Sequence, residues 1–364
     1  VLKPVAVILI AVFVVLAGFL FLEKRTYRNY KVQVTSEQED TVSTQYTYLS
    51  GKILRYSSDE VSLVNNKLET VWSQTYDMQN PVADVCGDCA VIADKDGTSM
   101  VFLDKNGITG TVSTSYSIVK AKVSKTGMAA AILDGGDHTW INFYNLDGSL
   151  VAENQTNIQD PGYPMDVALA DNGVVMMVAY QFVDSSETTR YIAFYNFGEV
   201  GQNEDDRIVS GYTYDGVVVP QIQYLGSNAV ALRDDGFTIY SGRQIPKELK
   251  TVQVEQEIIS TFYDENNIGL VFKNDSKDKQ YTMQVYSSAG KLKFSKDFNI
   301  PYTTIRMSDD YIVMYNSSQL CVLNSNGSEK YFGSVDGTVK DFFKLGWNKY
   351  LLVMDTGVNV IKLS

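Results

Sequence analysis

One histidine, three cysteines and a few closely spaced aspartates are the residues of this chain with chemistry to offer. His138, in Asp134-Gly-Gly-Asp-His-Thr-Trp140, is the sole candidate base for a Ser/His/Asp hydrolase, which needs an imidazole of near-neutral pKa held against its nucleophile. Its polar glycine-rich surroundings read instead as a solvated loop. Zinc on two or more histidines is excluded by count, and a mixed site would require Cys86, Cys89 and His138 to converge from separate parts of the chain. Cys86-Gly-Asp-Cys89 has the C-x-x-C spacing of a redox pair or half a metal site. Gly87-Asp88 suits a tight turn, so the two thiols are expected to flank a hairpin and pack as small apolar groups, with a disulfide or redox pair as the alternative. Cys321 is expected to be buried, and an odd cysteine count does not support a disulfide framework. Asp94-Lys-Asp96-Gly97 has the spaced carboxylates of a calcium loop but lacks the remaining oxygens and the bidentate Glu. It reads as a type I′-like hairpin turn, and Asp234-Asp235-Gly236 as a second structural turn. No metal and no cofactor is expected.

The elements that would position these residues announce themselves by recurrence. Phe102-Leu-Asp-Lys-Asn-Gly107, Phe143-Tyr-Asn-Leu-Asp-Gly148, Val285-Tyr-Ser-Ser-Ala-Gly290 and Val322-Leu-Asn-Ser-Asn-Gly327 each place a glycine where a hairpin turn needs positive φ, between alternating apolar residues. Recurrence of a hairpin down a chain marks a repeat protein. With 24 Tyr and 16 Phe the composition favours sheet. Units starting near Thr41, Pro81, Ile118, Tyr163, Val217, Glu257, Pro301 and Thr338 lie 37 to 54 residues apart, and each reads as four strands, a to d, from the axis outward. The fold class expected is all-β, an eight-bladed β-propeller. The last unit is one strand short, and residues 30–36, Tyr-Lys-Val-Gln-Val-Thr-Ser, form an alternating segment with no other place to pair. Supplying the missing strand closes the ring and removes two unpaired sheet edges. Seven blades is the alternative, if residues 41–57 join the C-terminal strands.

That closure sets the direction of the propeller. The a–b and c–d turns share one face, the donated strand enters there, and the b–c and d–a loops share the other. Residues 133–139, 155–162, 183–189 and 273–279 are the extended loops of the second face, the natural docking surface, with Tyr163, Asp184 and Arg190 as candidate binding residues. On the first face, Phe197-Gly-Glu-Val-Gly-Gln-Asn-Glu-Asp-Asp206 is far longer than an ordinary hairpin turn, and its Glu204, Asp205 and Asp206 would meet a basic partner or the basic segment 24–31. A merely solvated loop is the competing reading. For an enzyme, carboxylates would have to gather at the channel, and Asp84, Asp166 and Asp341, near the a strands, are the candidates.

Two resemblances bear on function. The c–d turns, once followed by Trp in Val64-Asn-Asn-Lys-Leu-Glu-Thr-Val-Trp72, resemble the blades of quinoprotein-like propellers. That family includes dehydrogenases using pyrroloquinoline quinone and cofactor-free assembly scaffolds of the bacterial envelope. The enzymes' docking Trp in nearly every blade is missing, Trp72, Trp140 and Trp347 being the only tryptophans present, so the resemblance implies a scaffold. Pro161-Gly-Tyr-Pro-Met-Asp-Val-Ala-Leu169, Ala193-Phe-Tyr-Asn-Phe-Gly-Glu-Val-Gly201 and Gly51-Lys-Ile-Leu-Arg-Tyr56 together resemble an uncharacterised family of single-pass, membrane-anchored propellers from Gram-positive bacteria. This second resemblance covers nearly the whole chain and implies architecture and location without an activity.

Residues 5–22 form an uncharged run of 18 that, as a helix, would span roughly 27 Å, enough to cross a bilayer once. No small-x-small cleavage site follows before Glu23-Lys24-Arg25, so an uncleaved anchor is preferred to a removed signal peptide. Lys24, Arg25, Arg28 and Lys31 follow it and only Lys3 precedes it, which on flanking charge alone would keep the propeller inside. A large folded domain is less governed by such charge, and an extracytoplasmic propeller is expected. The expected organisation is a stub at 1–4, an anchor at 5–22, a basic stalk at 23–29 and one propeller at 30–364. A net charge of −12 argues against nucleic acid and against adhesion to anionic lipid. The sequence thus leads to a non-catalytic scaffold binding an envelope protein or a cell-wall polymer, with a propeller enzyme or a ligand-sensing ectodomain as alternatives.

Overall fold

The structure, a computed structural model, describes residues 25–36, 40, 43–157, 162–184, 187–274, 276, 278–308, 311–346 and 348–364, without the side chains of 157, 183–184 and 187–189. The apolar segment 5–22, the stub before it, residues 23–24 and Trp347 lie outside the described residues. Within them the strands form eight four-stranded antiparallel sheets. Blades 1 to 7 occupy residues 45–75, 81–113, 117–157, 163–215, 221–253, 258–298 and 304–334, and blade 8 combines 339–363 with 30–35. First strands touch in succession from blade 1 to blade 5 and again between blades 6 and 7, which puts strand a at the axis.

The pattern of burial explains why these sequences form blades. Middle strands such as Cys89–Asp94 and Asn228–Arg233 are almost wholly buried, because both faces of a blade are covered by its neighbours. Outer strands such as Gly107–Ser113 alternate between exposed and partly covered residues. The core is correspondingly divided into eight clusters, each built from two adjacent blades. One of them joins Ile53 and Val64 of blade 1 to Phe343, Leu351, Val353 and Val360 of blade 8, so the ring is shut. Gln45–Leu49 and Lys52–Tyr56 pair within blade 1 and not with the C-terminal strands, which settles eight blades over seven.

Strand Tyr30–Thr35 pairs antiparallel with Gly357–Leu363, from Tyr30 opposite Leu363 to Thr35 opposite Asn359. Asn29 and Ser364 exchange two backbone hydrogen bonds at one end, and Ser36 N–H donates to Val358 O at the other. Tyr30 also packs edge-on to Tyr331 of blade 7. The chain thus enters on the face of the a–b and c–d turns, where Tyr27 N–H donates to Lys330 O. We call this the proximal face and the opposite one the distal face.

The recurring c–d turns do more than reverse the chain. Gly148, Gly290 and Gly327 have φ of 82°, 73° and 81°, and each N–H closes the turn onto the carbonyl three residues back. Leu68 takes the same left-handed conformation, φ 63°, in the turn at Asn65. The preceding blade's outer strand then latches onto the turn. Trp72 Nε1 donates to Lys105 O at 3.0 Å, Thr109 to Leu146 O at 2.7 Å, Ser210 to Pro246 O at 2.8 Å and Lys250 to Gly290 O at 2.7 Å. Among the described residues Trp fills this role once, and other donors fill it elsewhere.

Candidate functional site

The channel carboxylates lie on a strands, as expected, but each is consumed by a neighbouring blade. Asp84 of blade 2 takes Lys122 Nζ at 2.8 Å and Val123 N–H at 2.9 Å, both from blade 3. Burial works against the Lys122 charge, yet the adjacent Asp84 prevails and raises its pKa. Asp166 of blade 4, 1% exposed, takes Lys120 Nζ of blade 3 at 2.7 Å, Ile222 N–H of blade 5 at 2.9 Å and its neighbour Val167 N–H. Asp341 of blade 8 is 3.1 Å from Arg306 Nη2 and accepts the Tyr315 hydroxyl, both of blade 7. These carboxylates are inter-blade ties, and the acid–base pair that an enzyme would gather at the channel gives way to three separate ion pairs.

His138 opens strand His138–Tyr144 and is exposed; the expected loop 133–139 shrinks to residues 135–137 between paired strands. Cys86 and Cys89 face each other across the Gly87-Asp88 turn as free thiols. Burial, then the charges of Asp171 and Asp84, push the Cys86 thiol up to about 12, and burial alone leads the rise to about 12 at Cys321 in strand Gln319–Leu323. Thiols held protonated are poor nucleophiles. Native protein at pH 8 should therefore react with iodoacetamide at Cys86 and Cys321 at least about a hundredfold more slowly than in urea; equal rates would contradict this assignment. Asp94 accepts Asn80 N–H at 2.7 Å, a structural task. At Asp94–Gly97 the left-handed φ falls on Asp96 alone, whereas a type I′ turn needs it at both central residues, so that expectation is corrected. Asp235 binds Arg233 in a fork, as a structural turn residue does. Among the described residues no three His, Cys, Asp or Glu side chains are grouped to hold a metal ion.

On the proximal face, the insertion after Phe197 is a folded unit. Two short 3-10 turns, Gly201–Asn203 and Asp205–Arg207, occupy it. Gly201 is required there, since a Cβ would sit 1.8 Å from Asn196 O. Arg207 lies over the Phe197 ring, which stacks on Phe143 of blade 3 at 4.1 Å. Glu204, Asp205 and Asp206 are exposed. They belong to blade 4, halfway round an eight-blade ring from the segment 25–31 at blades 7 and 8, so the two do not meet. The same face carries a cavity of about 370 Å³ lined by Lys125, Asp171, Tyr224, Arg243 and Glu265. Lys125 reaches Asp171 at 2.9 Å and Glu265 at 2.6 Å, joining blade 3 to blades 4 and 6. Nothing local in the sequence marks that convergence, because the three residues lie in separate a–b turns.

The distal face differs in kind. Strands Val175–Asp184 and Glu187–Asn196 run ten residues each, with Asp184 opposite Glu187, so residues 183–184 and 187–189, expected in a loop, belong to the paired strands of a long hairpin. Thr188 and Thr189 supply the β-branched character that a reading of the polar stretch Asp184-Ser-Ser-Glu as loop overlooked. Tyr163 begins strand a of blade 4, half-buried, its pKa raised by burial and then by Asp134. Arg190 is buried in strand c, and Asp184 ends strand b with its side chain outside the described set. Register places Tyr163 opposite Gln181 and Gln181 opposite Arg190, in one row across the blade. Around the channel mouth Val82, Tyr116, Met165, Val218 and Ile259 are between 40% and 48% exposed. Met165 and Ile259 are bulged residues, skipped between Pro164 and Asp166 and between Ile258 and Ser260. A bulge leaves its extra residue unpaired and re-aims the side chain, and the break in alternation was the available signal.

Fold and site together define an eight-bladed β-propeller with neutralised channel carboxylates and an apolar distal mouth. The chain belongs to a family of unknown function, DUF5711, matched over residues 23–363. A comparison with curated proteins gave no match. Among solved structures it is similar to BamB from Moraxella catarrhalis, with 13% identity, a TM-score of 0.52, and coverage of 93% of this chain and 99% of that one. It is also similar to Chaetomium thermophilum Sqt1 bound to the N-terminus of a ribosomal protein, with 10% identity, a TM-score of 0.54, and coverage of 88% and 92%. A eukaryotic initiation factor gives 11% identity, a TM-score of 0.56, and coverage of 91% and 87%. At such identities the likeness concerns the fold.

Proposed function

We propose that this protein is a non-catalytic scaffold, anchored in the cell membrane by residues 5–22, whose propeller binds an envelope protein through its distal face. One observation carries the reading: the channel carboxylates are spent between blades, while Val82, Tyr116, Met165, Val218 and Ile259 stay exposed around one mouth. Clustered exposed apolar side chains on a rigid frame favour docking of another protein. The Sqt1 structure, in which a similar fold holds the N-terminus of another protein, supports the same use. Entry of the polypeptide at blade 8 from the proximal side supports a distal face directed away from the proposed anchor. A net charge of −12 disfavours an anionic cell-wall polymer as the partner.

The acidic insertion is the rival surface. Replacing residues 199–206 by Asn-Gly, a dipeptide suited to a hairpin, should leave the set of crosslinked partners in cells unchanged. Loss of those partners from a folded, anchored variant would transfer the binding site to the proximal face.

A further inference from the structure

Arg190 is 7% exposed, and its Nη1 is enclosed without a hydrogen-bond partner among the described residues. It stands directly opposite Tyr214 in blade 4, and directly opposed residues share a face of the sheet. The Tyr214 hydroxyl meets that of Tyr240 in blade 5, so the guanidinium is turned into the cleft between blades 4 and 5 near the distal face.

A second buried guanidinium in that cleft shows what a satisfied one looks like. Arg233 forks onto Asp235 at 2.8 and 2.7 Å, donates to Thr238 at 3.1 Å and lies 5.0 Å over the Tyr214 ring. Arg190 has no such fork among the described residues. Burial lowers its pKa, and Asp234, the acid that opposes that effect, is exposed and accepts Val218 N–H at 3.0 Å. An arginine held out of water, with only an exposed carboxylate acting on it from outside hydrogen-bond geometry among the described residues, carries a standing cost that a bound anion offsets.

We propose that Arg190 anchors a single carboxylate, carried by a protein segment that docks on the distal face between blades 4 and 5. A planar fork of donors matches a carboxylate in geometry. The surroundings select against a polyanion: Asp234 stands at the cleft, the protein as a whole is acidic, and Val218 and Met165 nearby are exposed and apolar. A lone Asp, Glu or C-terminal carboxylate among apolar residues fits all three. The inference rests on the distal face being the docking surface, and its test separates the two.

The experiment compares the full-length protein in mild detergent with Arg190→Met, a substitution that keeps length and removes charge. Arg190→Met should melt higher than wild type, because a buried charge only weakly compensated by the exposed Asp234 is gone. Sodium acetate, titrated at constant ionic strength against chloride, should raise the wild-type melting temperature saturably and act at least about tenfold more weakly on the variant; phosphate should be the poorer ligand. Crosslinking in cells from the distal face should yield a defined adduct that Arg190→Met reduces about tenfold and Asp234→Asn preserves. A lower melting temperature for Arg190→Met with no acetate effect would overturn the proposal, since Arg190 would then have an internal partner. An acetate effect lost in Arg190→Met with adducts unchanged would overturn the protein segment in favour of a free carboxylate. An acetate effect without any distal adduct would sink the docking surface while leaving the anion site.

Discussion

A protein shortened to begin after Ser36 should lose several kcal/mol of stability, whereas one beginning at Glu23 should melt like the full-length form. The difference lies in strand Tyr30–Thr35, which completes blade 8 against Gly357–Leu363. Without it Val360, Ile361 and Leu363, all buried, become part of an open sheet edge, and the packing of Tyr30 on Tyr331 is lost. Uncovering about 150 Å² of apolar surface costs roughly 4 kcal/mol at 25 cal/mol per Å², before any unpaired backbone groups are counted. Urea denaturation of the two truncations measures it. Equal midpoints would mean that the ring does not depend on the strand exchange.

Asp166→Ala should be the most damaging single substitution in the channel, at about 3 kcal/mol or more. Asp166 is a knot between three blades, with Lys120 on one side and the Ile222 amide on the other. Its removal strands an ammonium group and two buried N–H donors at once. Lys120 retains 37% side-chain exposure and can partly rehydrate, which keeps the loss toward the lower end of the range for broken buried pairs. Asp84→Ala should cost less, because Asp84 has more access to water than Asp166 has. Denaturant titration of both variants gives the ranking, and an Asp166→Ala loss under about 1 kcal/mol would free that carboxylate for other roles.

How much of this could be read beforehand depended on how local each signal was. Blades were legible because a two-faced buried strand such as Cys89–Asp94 is a continuous apolar run, and because the c–d turn repeats its glycine. Closure was legible from simple pairing: a final unit of three strands and a stray alternating segment at 30–36. The ties between blades were not. Asp84 and Lys122 are 38 residues apart, and only knowing which strands are adjacent at the axis brings them together. The same holds for Lys125 and Glu265, which meet across blades that are not neighbours. Arg190 stands out in the sequence as a polar residue of an outward loop, yet its interest comes from being buried in a strand with a donor that has no partner among the described residues, a property of the packing around it. Residues 183–184 and 187–189 mislead for a related reason: strands that run on to ten residues, past the usual length of a blade strand, carry a polar composition that reads as loop.

Docking of a protein on the distal face can be read from a photoreactive residue placed in turn at Ile259 and at Asp206 of the full-length protein in cells. A discrete protein adduct is expected from Ile259, at the distal mouth, and none from Asp206, on the proximal insertion. A discrete adduct from Asp206 with none from Ile259 would rule out distal docking.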